Sequence, residues 1–138
     1  DRVRFDLHRD VDHRRSFDPN WEDVKGNGSF VQTMVAIDPM TRENGGLFVF
    51  PGSHHDHKPV KGNPVLSREY ASGKHGKPLL LQLSPGDTVF FHPYLVHFSE
   101  ENRSNRARRA FINGFACPGA NHVQYPGKGS GEVITLVK

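Results

Sequence analysis

Apolar and polar residues alternate closely from Val3 to Asp12. Val3, Phe5, Leu7 and Val11 take one parity, and Arg4, Asp6, His8, Asp10 and Asp12 take the other. A period of two predicts a strand with His8 and Asp10 projecting together from its polar face. The same alternation on a surface strand would simply place polar side chains in water. Residues 13–28 are polar and irregular, broken by Pro19, Gly26 and Gly28, and read as a loop of the kind that shapes a site's entrance. Residues 30–37 are rich in β-branched and apolar side chains and predict a second strand, ended by Asp38-Pro39. The Asn44-Gly45-Gly46 turn then leads into a third strand at 47–50, stopped by Pro51-Gly52.

Residues 53–77 are again polar and glycine-punctuated, with one helical turn expected around 66–70. Beyond them, 79–83 and 88–91 flank Pro85-Gly86, the central pair of a type II turn, and predict a hairpin. Residues 108–115 read as a further strand and 133–137 as a candidate last one. About seven short strands with turn signals between them indicate an all-β sandwich or barrel. No internal repeat, heptad or linker divides the chain, so residues 1–138 are expected to form a single domain.

Composition narrows this picture. The 14 glycines and 10 prolines suit a turn-rich β-fold, and 35% hydrophobic content in 138 residues supports one modest core. No apolar run reaches the ~18 residues that a membrane span needs. Cys117 is the single cysteine, which excludes an internal disulfide and suits a reducing, cytoplasmic setting. The net charge of +3 is mild, but Arg103, Arg106, Arg108 and Arg109 crowd together. Such a run is more often a solvated edge than a nucleic-acid patch, and no nucleic-acid-binding motif accompanies it.

The chemistry-bearing residues are His8-Arg9-Asp10 and, 89 positions after His8, His97. Two imidazoles and one carboxylate are the ligand set of a mononuclear non-haem iron(II) site. Arg108 follows His97 and offers the cation that would hold the far carboxylate of 2-oxoglutarate. Other sets compete. His54, His55 and His57 are close enough in sequence to take up an adventitious metal. Asp12-His13 could replace His8 and Asp10, although neighbours on a strand face opposite ways. His92 reads as a strand cap or a supporting hydrogen-bond partner, and Cys117 as a buried small hydrophobe.

Three further segments carry a resemblance. Asn44-Gly45-Gly46-Leu47-Phe48-Val49-Phe50-Pro51-Gly52-Ser53-His54 is similar to the NGxLxxxPGSH segment of the phytanoyl-CoA dioxygenase family. Pro85-Gly86-Asp87-Thr88-Val89-Phe90-Phe91-His92 resembles its PGDxxxFH turn and strand. The stretch from His97-Phe98-Ser99 through Asn102-Arg103-Ser104 to Arg108-Arg109 resembles its distal HxSxxNxSxxxRR block. With His8-x-Asp10 these motifs fall in the family's order and run from about His8 to Phe115.

The resemblance implies a double-stranded β-helix, or jelly roll, and iron(II)- and 2-oxoglutarate-dependent oxygenase chemistry with O2. His8, Asp10 and His97 would bind the iron, Arg108 would pair with the distal carboxylate of 2-oxoglutarate, and Ser99 would hydrogen-bond it. Arg109, of opposite parity, should face away. Asp10 favours hydroxylation over halogenation, since related halogenases lack the carboxylate. The substrate would be a small molecule, with succinate and CO2 released. Residues 14–28 and 55–77 are the selecting loops, and their basic side chains suit an anionic substrate or mere solvation. Two departures stand out: Arg9 occupies a place where the family often has a neutral amide, and only seven residues precede His8. Family members carry an N-terminal buttress there, so the chain is expected to be the C-terminal part of such a domain. A jelly-roll module that binds metal or ligand without turnover is the competing reading.

Overall fold

In a computed structural model, described here for residues 4–17, 21–23 and 28–117, seven strands form two antiparallel sheets. The elements in chain order are β1 (Phe5–His8), α1 (Asp10–Phe17), β2 (Phe30–Ala36), β3 (Leu47–Val49), α2 (Pro64–Ala71), β4 (Leu79–Leu80), β5 (Thr88–Phe91), β6 (His97–Ser99) and β7 (Ala110–Ala116). A short 3-10 turn covers Ser53–His55. One sheet has the order β1-β6-β3-β4 and the other β5-β2-β7. This is the two-sheet jelly-roll architecture expected from the sequence.

Two expectations need correction. The opening strand stops at His8, and residues predicted as its continuation and as loop form α1 instead. This helix has no apolar stripe, because Val11 is its one apolar residue before Phe17. Asp10 and Asp12 in the first turn and Arg14 and Arg15 in the last complement the helix dipole, a signal that hydrophobic periodicity does not carry. The Pro85-Gly86 turn is real, with Asp87 N–H donating to Ser84 O at 3.0 Å and Gly86 at φ +92°. It does not close a hairpin, however: β4 pairs with β3, and β5 pairs with β2 in the other sheet. β2 and β3, read as two strands with a short connection, also lie in different sheets. Turn chemistry reverses the chain locally, whereas the partner is chosen by long-range packing. β6 has no sequence signal of its own, because its three residues, His-Phe-Ser, are too few to show a pattern. The expected strand at 133–137 lies outside the described residues.

The core between the sheets is built from Met34 and Ala36 of β2, Leu47 and Val49 of β3, and Phe91 of β5, with Met40. Behind β6 and β3, α2 covers the outer face. Asn63 caps α2 by accepting from Leu66 N–H at 3.1 Å, Pro64 opens it, and Leu66 and Tyr70 point into the protein. They meet Phe50, Val60 and Val96, with Leu7 and Phe98 against them. The Asn44-Gly45-Gly46 motif serves this scaffold. Asn44 Oδ1 accepts from Thr41 N–H, and Gly45, at φ +77°, packs so tightly that a Cβ would lie 2.5 Å from the Glu100 carbonyl.

Candidate metal centre

Strand register places the first two candidate ligands. β1 and β6 pair with His8 opposite His97, and β6 pairs with β3 with His97 opposite Val49. Directly paired residues share a face, so His97 points with Val49 between the sheets, where its ring meets Phe91 at 5.3 Å. Ser99, two residues on, has the same orientation and is buried. The His8 and His97 rings lie 4.3 Å apart. Asp10 joins them from the first turn of α1 rather than from a strand face. One ligand atom from each of His8, Asp10 and His97 lies within 4.8 Å of the others, and this is the one such group among the described residues.

Backbone carbonyls set both imidazoles. His97 Nδ1–H donates to Leu95 O at 2.9 Å, and His8 Nδ1–H donates to Asp6 O at 2.6 Å. Each ring therefore turns its Nε2 lone pair toward Asp10 Oδ1, at 3.6 Å from His97 and 3.9 Å from His8. Burial lowers the pKa of both histidines, and for His8 the neighbouring His97 lowers it further, so neutral rings are favoured. Burial raises the Asp10 pKa, opposed by the basic side chains of His8, His13 and Arg14. Asp10 Oδ2 is buried with no hydrogen-bond partner. A divalent cation fits this arrangement: it would take two imidazole lone pairs and a carboxylate with one oxygen that no hydrogen bond satisfies.

A buried cation links the two ligand segments. Arg9 is 0% exposed; its Nε donates to Tyr94 O at 2.9 Å and its NH2 to Ser53 O at 3.3 Å. Ser53 Oγ in turn accepts from Val96 N–H at 2.8 Å, one residue before His97. The residue between His8 and Asp10 thus grips the segment that delivers His97. Sequence reading assigned Arg9 no such role, though a signal was present: it shares the apolar parity of Leu7 and Val11. Arg14 was also missed. It is buried, with its guanidinium 4.9 Å over the Phe30 ring.

The remaining candidates separate. Arg108 is half-buried, burial lowers its pKa, and its Nε is buried without a hydrogen-bond partner. Arg109 faces away as expected, with Nε and NH2 each 2.9 Å from an Asp38 carboxylate oxygen. Ser99 Oγ accepts from Phe5 N–H at 3.3 Å, which leaves its hydroxyl hydrogen free to donate. Asp12 is no ligand partner for His13: its Oδ2 accepts from Val60 and Lys61 N–H at 2.9 and 3.1 Å. The His54 and His55 rings meet at 4.0 Å in a tilted arrangement, and His57 stacks on Tyr94. His92 Nδ1 accepts from Tyr94 N–H at 3.2 Å, a local cap. Cys117 is half-buried rather than buried.

Comparison with known proteins agrees with the fold. The family model for phytanoyl-CoA dioxygenase (PhyH) matches residues 1–110, and the chain belongs to that family. It is 31% identical to the peroxisomal phytanoyl-CoA dioxygenase of Bos taurus, over 98% of this chain and 41% of that protein. It is 32% identical to a 2-aminoethylphosphonate dioxygenase from an uncultured bacterium, over 78% of this chain and 38% of that protein. The chain therefore spans about two fifths of these relatives' lengths. Among solved structures, EctD from S. alaskensis, bound to 2-oxoglutarate and 5-hydroxyectoine, superposes with a TM-score of 0.69. That match has 21% identity and covers 85% of this chain and 39% of EctD. No helix among the described residues is long and apolar enough to cross a membrane.

Proposed function

We propose that this chain carries the centre of an iron(II)- and 2-oxoglutarate-dependent dioxygenase that hydroxylates a C–H bond of a small molecule. The observation that carries the reading is the convergence of two tautomer-fixed Nε2 lone pairs on the Asp10 carboxylate. Family membership and the unpartnered Arg108 Nε support it. In this reading His8, Asp10 and His97 hold the iron, Arg108 pairs with the distal carboxylate of 2-oxoglutarate, and Ser99 donates a hydrogen bond to it. With O2 and 2-oxoglutarate, iron(II) supplies an oxidation in which one oxygen atom enters the substrate as hydroxyl and the other enters succinate as CO2 leaves. The chain's own contribution is orientation and shielding. The two carbonyl-held histidines keep their metal-facing nitrogens unprotonated, and Phe91 and Val49 close the inner side against water.

The two adjacent arginines give the test. In metal-loaded protein, Arg108→Ala should weaken 2-oxoglutarate binding at least about tenfold, the scale of a lost charge-assisted hydrogen bond. Arg109→Ala should leave it unchanged. Equal affinity in wild type and Arg108→Ala, measured by calorimetry, would remove Arg108 from the co-substrate site.

A further inference from the structure

We propose that Lys61, seated against His13, forms a recognition point for an oxyanionic group of the substrate, a carboxylate or phosphonate, beside the metal centre. This rests on the oxygenase reading and narrows its substrate class. The position of Lys61 is built into the fold. The buried Asp12 carboxylate, in the first turn of α1, accepts the backbone N–H groups of both Val60 and Lys61 and so pins that loop to the helix. The adjacent helical residue is His13, and Lys61 Nζ lies 3.2 Å from its Nδ1. The Lys61 ammonium donates in that contact and keeps two further N–H groups for a ligand, while the His13 proton sits on Nε2, on the far side of the ring.

His13 is one ring away from the ligand cluster. Its centroid lies 5.0 Å from that of His8 with the rings nearly perpendicular, and His8 touches His97. Among the described residues, no carboxylate oxygen comes within 4.0 Å of Lys61 Nζ, whereas Lys74 is paired with Glu69 and Arg109 with Asp38. The nearby acids have other duties: Asp10 faces the two histidines, and Asp12 holds the loop amides. Lys61 is exposed and His13 half-buried, so the pair lies where solvent reaches the cluster. An anion seated there would hold a nearby carbon of the same molecule over the metal ligands. The expected site of oxidation is therefore a C–H bond close to the charged group, and a substrate lacking that group would lose its anchor.

Inorganic phosphate is the probe, titrated into the metal-free protein so that it cannot coordinate iron, with binding followed by 31P NMR. Wild type, His97→Ala and Arg108→Ala should bind with similar affinity, and Lys61→Met at least about tenfold more weakly. Lys61 is a surface side chain, so its loss should leave the fold intact. Equal binding in Lys61→Met, no saturable binding in wild type, or loss in Arg108→Ala alone would overturn the proposal. The iron(II)–2-oxoglutarate absorption band, recorded in parallel, separates this failure from failure of the oxygenase reading: Lys61→Met should retain it.

Discussion

The two sheets are held together by different means, and the difference assigns them different work. In the four-stranded sheet every residue of β3 is buried, as are His97 and Ser99 of β6, with packing on both faces. In the three-stranded sheet, β7 pairs with β2 along all seven residues, yet six of its seven residues are exposed, Phe111 and Ile112 by 58% and 59%. β3 and β6 are fixed by side-chain packing and β7 chiefly by its backbone ladder. His8 and His97 ride on the packed sheet, where close packing resists displacement of their ligand atoms. Arg108 precedes the ladder-held strand, so its placement depends on hydrogen bonds rather than on a core.

Substitutions in the two sheets should therefore differ in cost. Phe50, 3% exposed and edge-on to Tyr70 at 4.8 Å, supports the packed sheet from behind. Phe50→Ala should cost about 3–5 kcal/mol in denaturant unfolding and weaken metal binding with it. Ser53→Ala strands the buried Val96 N–H and should cost about 1–3 kcal/mol, again with looser metal binding. Phe111→Ser, on β7, should stay within about 0.5 kcal/mol of wild type and leave the metal site untouched. A large loss for Phe111→Ser would erase the contrast between the sheets.

The smallest effect concerns the Asp38–Arg109 pair, which ties the end of β2 to the start of β7. Hydrogen bonds from the Arg109 side chain and backbone hold the Asp38 pKa at about 2, below its ordinary 3.8. A depressed folded-state pKa stabilises above the unfolded value, and this contribution is lost as pH falls through the folded one. Stability should therefore decline between pH 3.8 and about 2, and Arg109→Gln should flatten that limb modestly, since the pair is exposed. An unchanged acid limb in Arg109→Gln would show that the pair adds nothing to the join between β2 and β7.

The same division explains what could be read from the sequence. The alternating and β-branched runs gave β2, β3, β5 and most of β7, because strand periodicity is local. The pairing of β4 with β3 and of β5 with β2 was illegible, since a Pro-Gly turn does not specify which sheet receives each arm. Helix α1 was hidden because its evidence is charge placement rather than an apolar stripe. The candidate metal-ligating residues were recognisable by type, order and spacing, but the element that carries Asp10 was not. Asp10 reaches the cluster from a helix because the chain turns at Arg9, whose Nε and NH2 donate to carbonyls 85 and 44 residues away. Long-range partners of that kind leave only a faint mark in sequence, here a charged residue at an apolar parity.

The central claim is that His8, Asp10 and His97 form a working iron(II) centre and Arg108 its co-substrate grip. The most direct measurement is anaerobic addition of iron(II) and then 2-oxoglutarate, with the visible charge-transfer band of the chelate as readout. The account predicts a band in wild type that is absent in His97→Ala and requires far more 2-oxoglutarate in Arg108→Ala. A folded wild-type protein that binds iron(II) and 2-oxoglutarate without the band, or a His97→Ala variant that keeps it, would contradict the account.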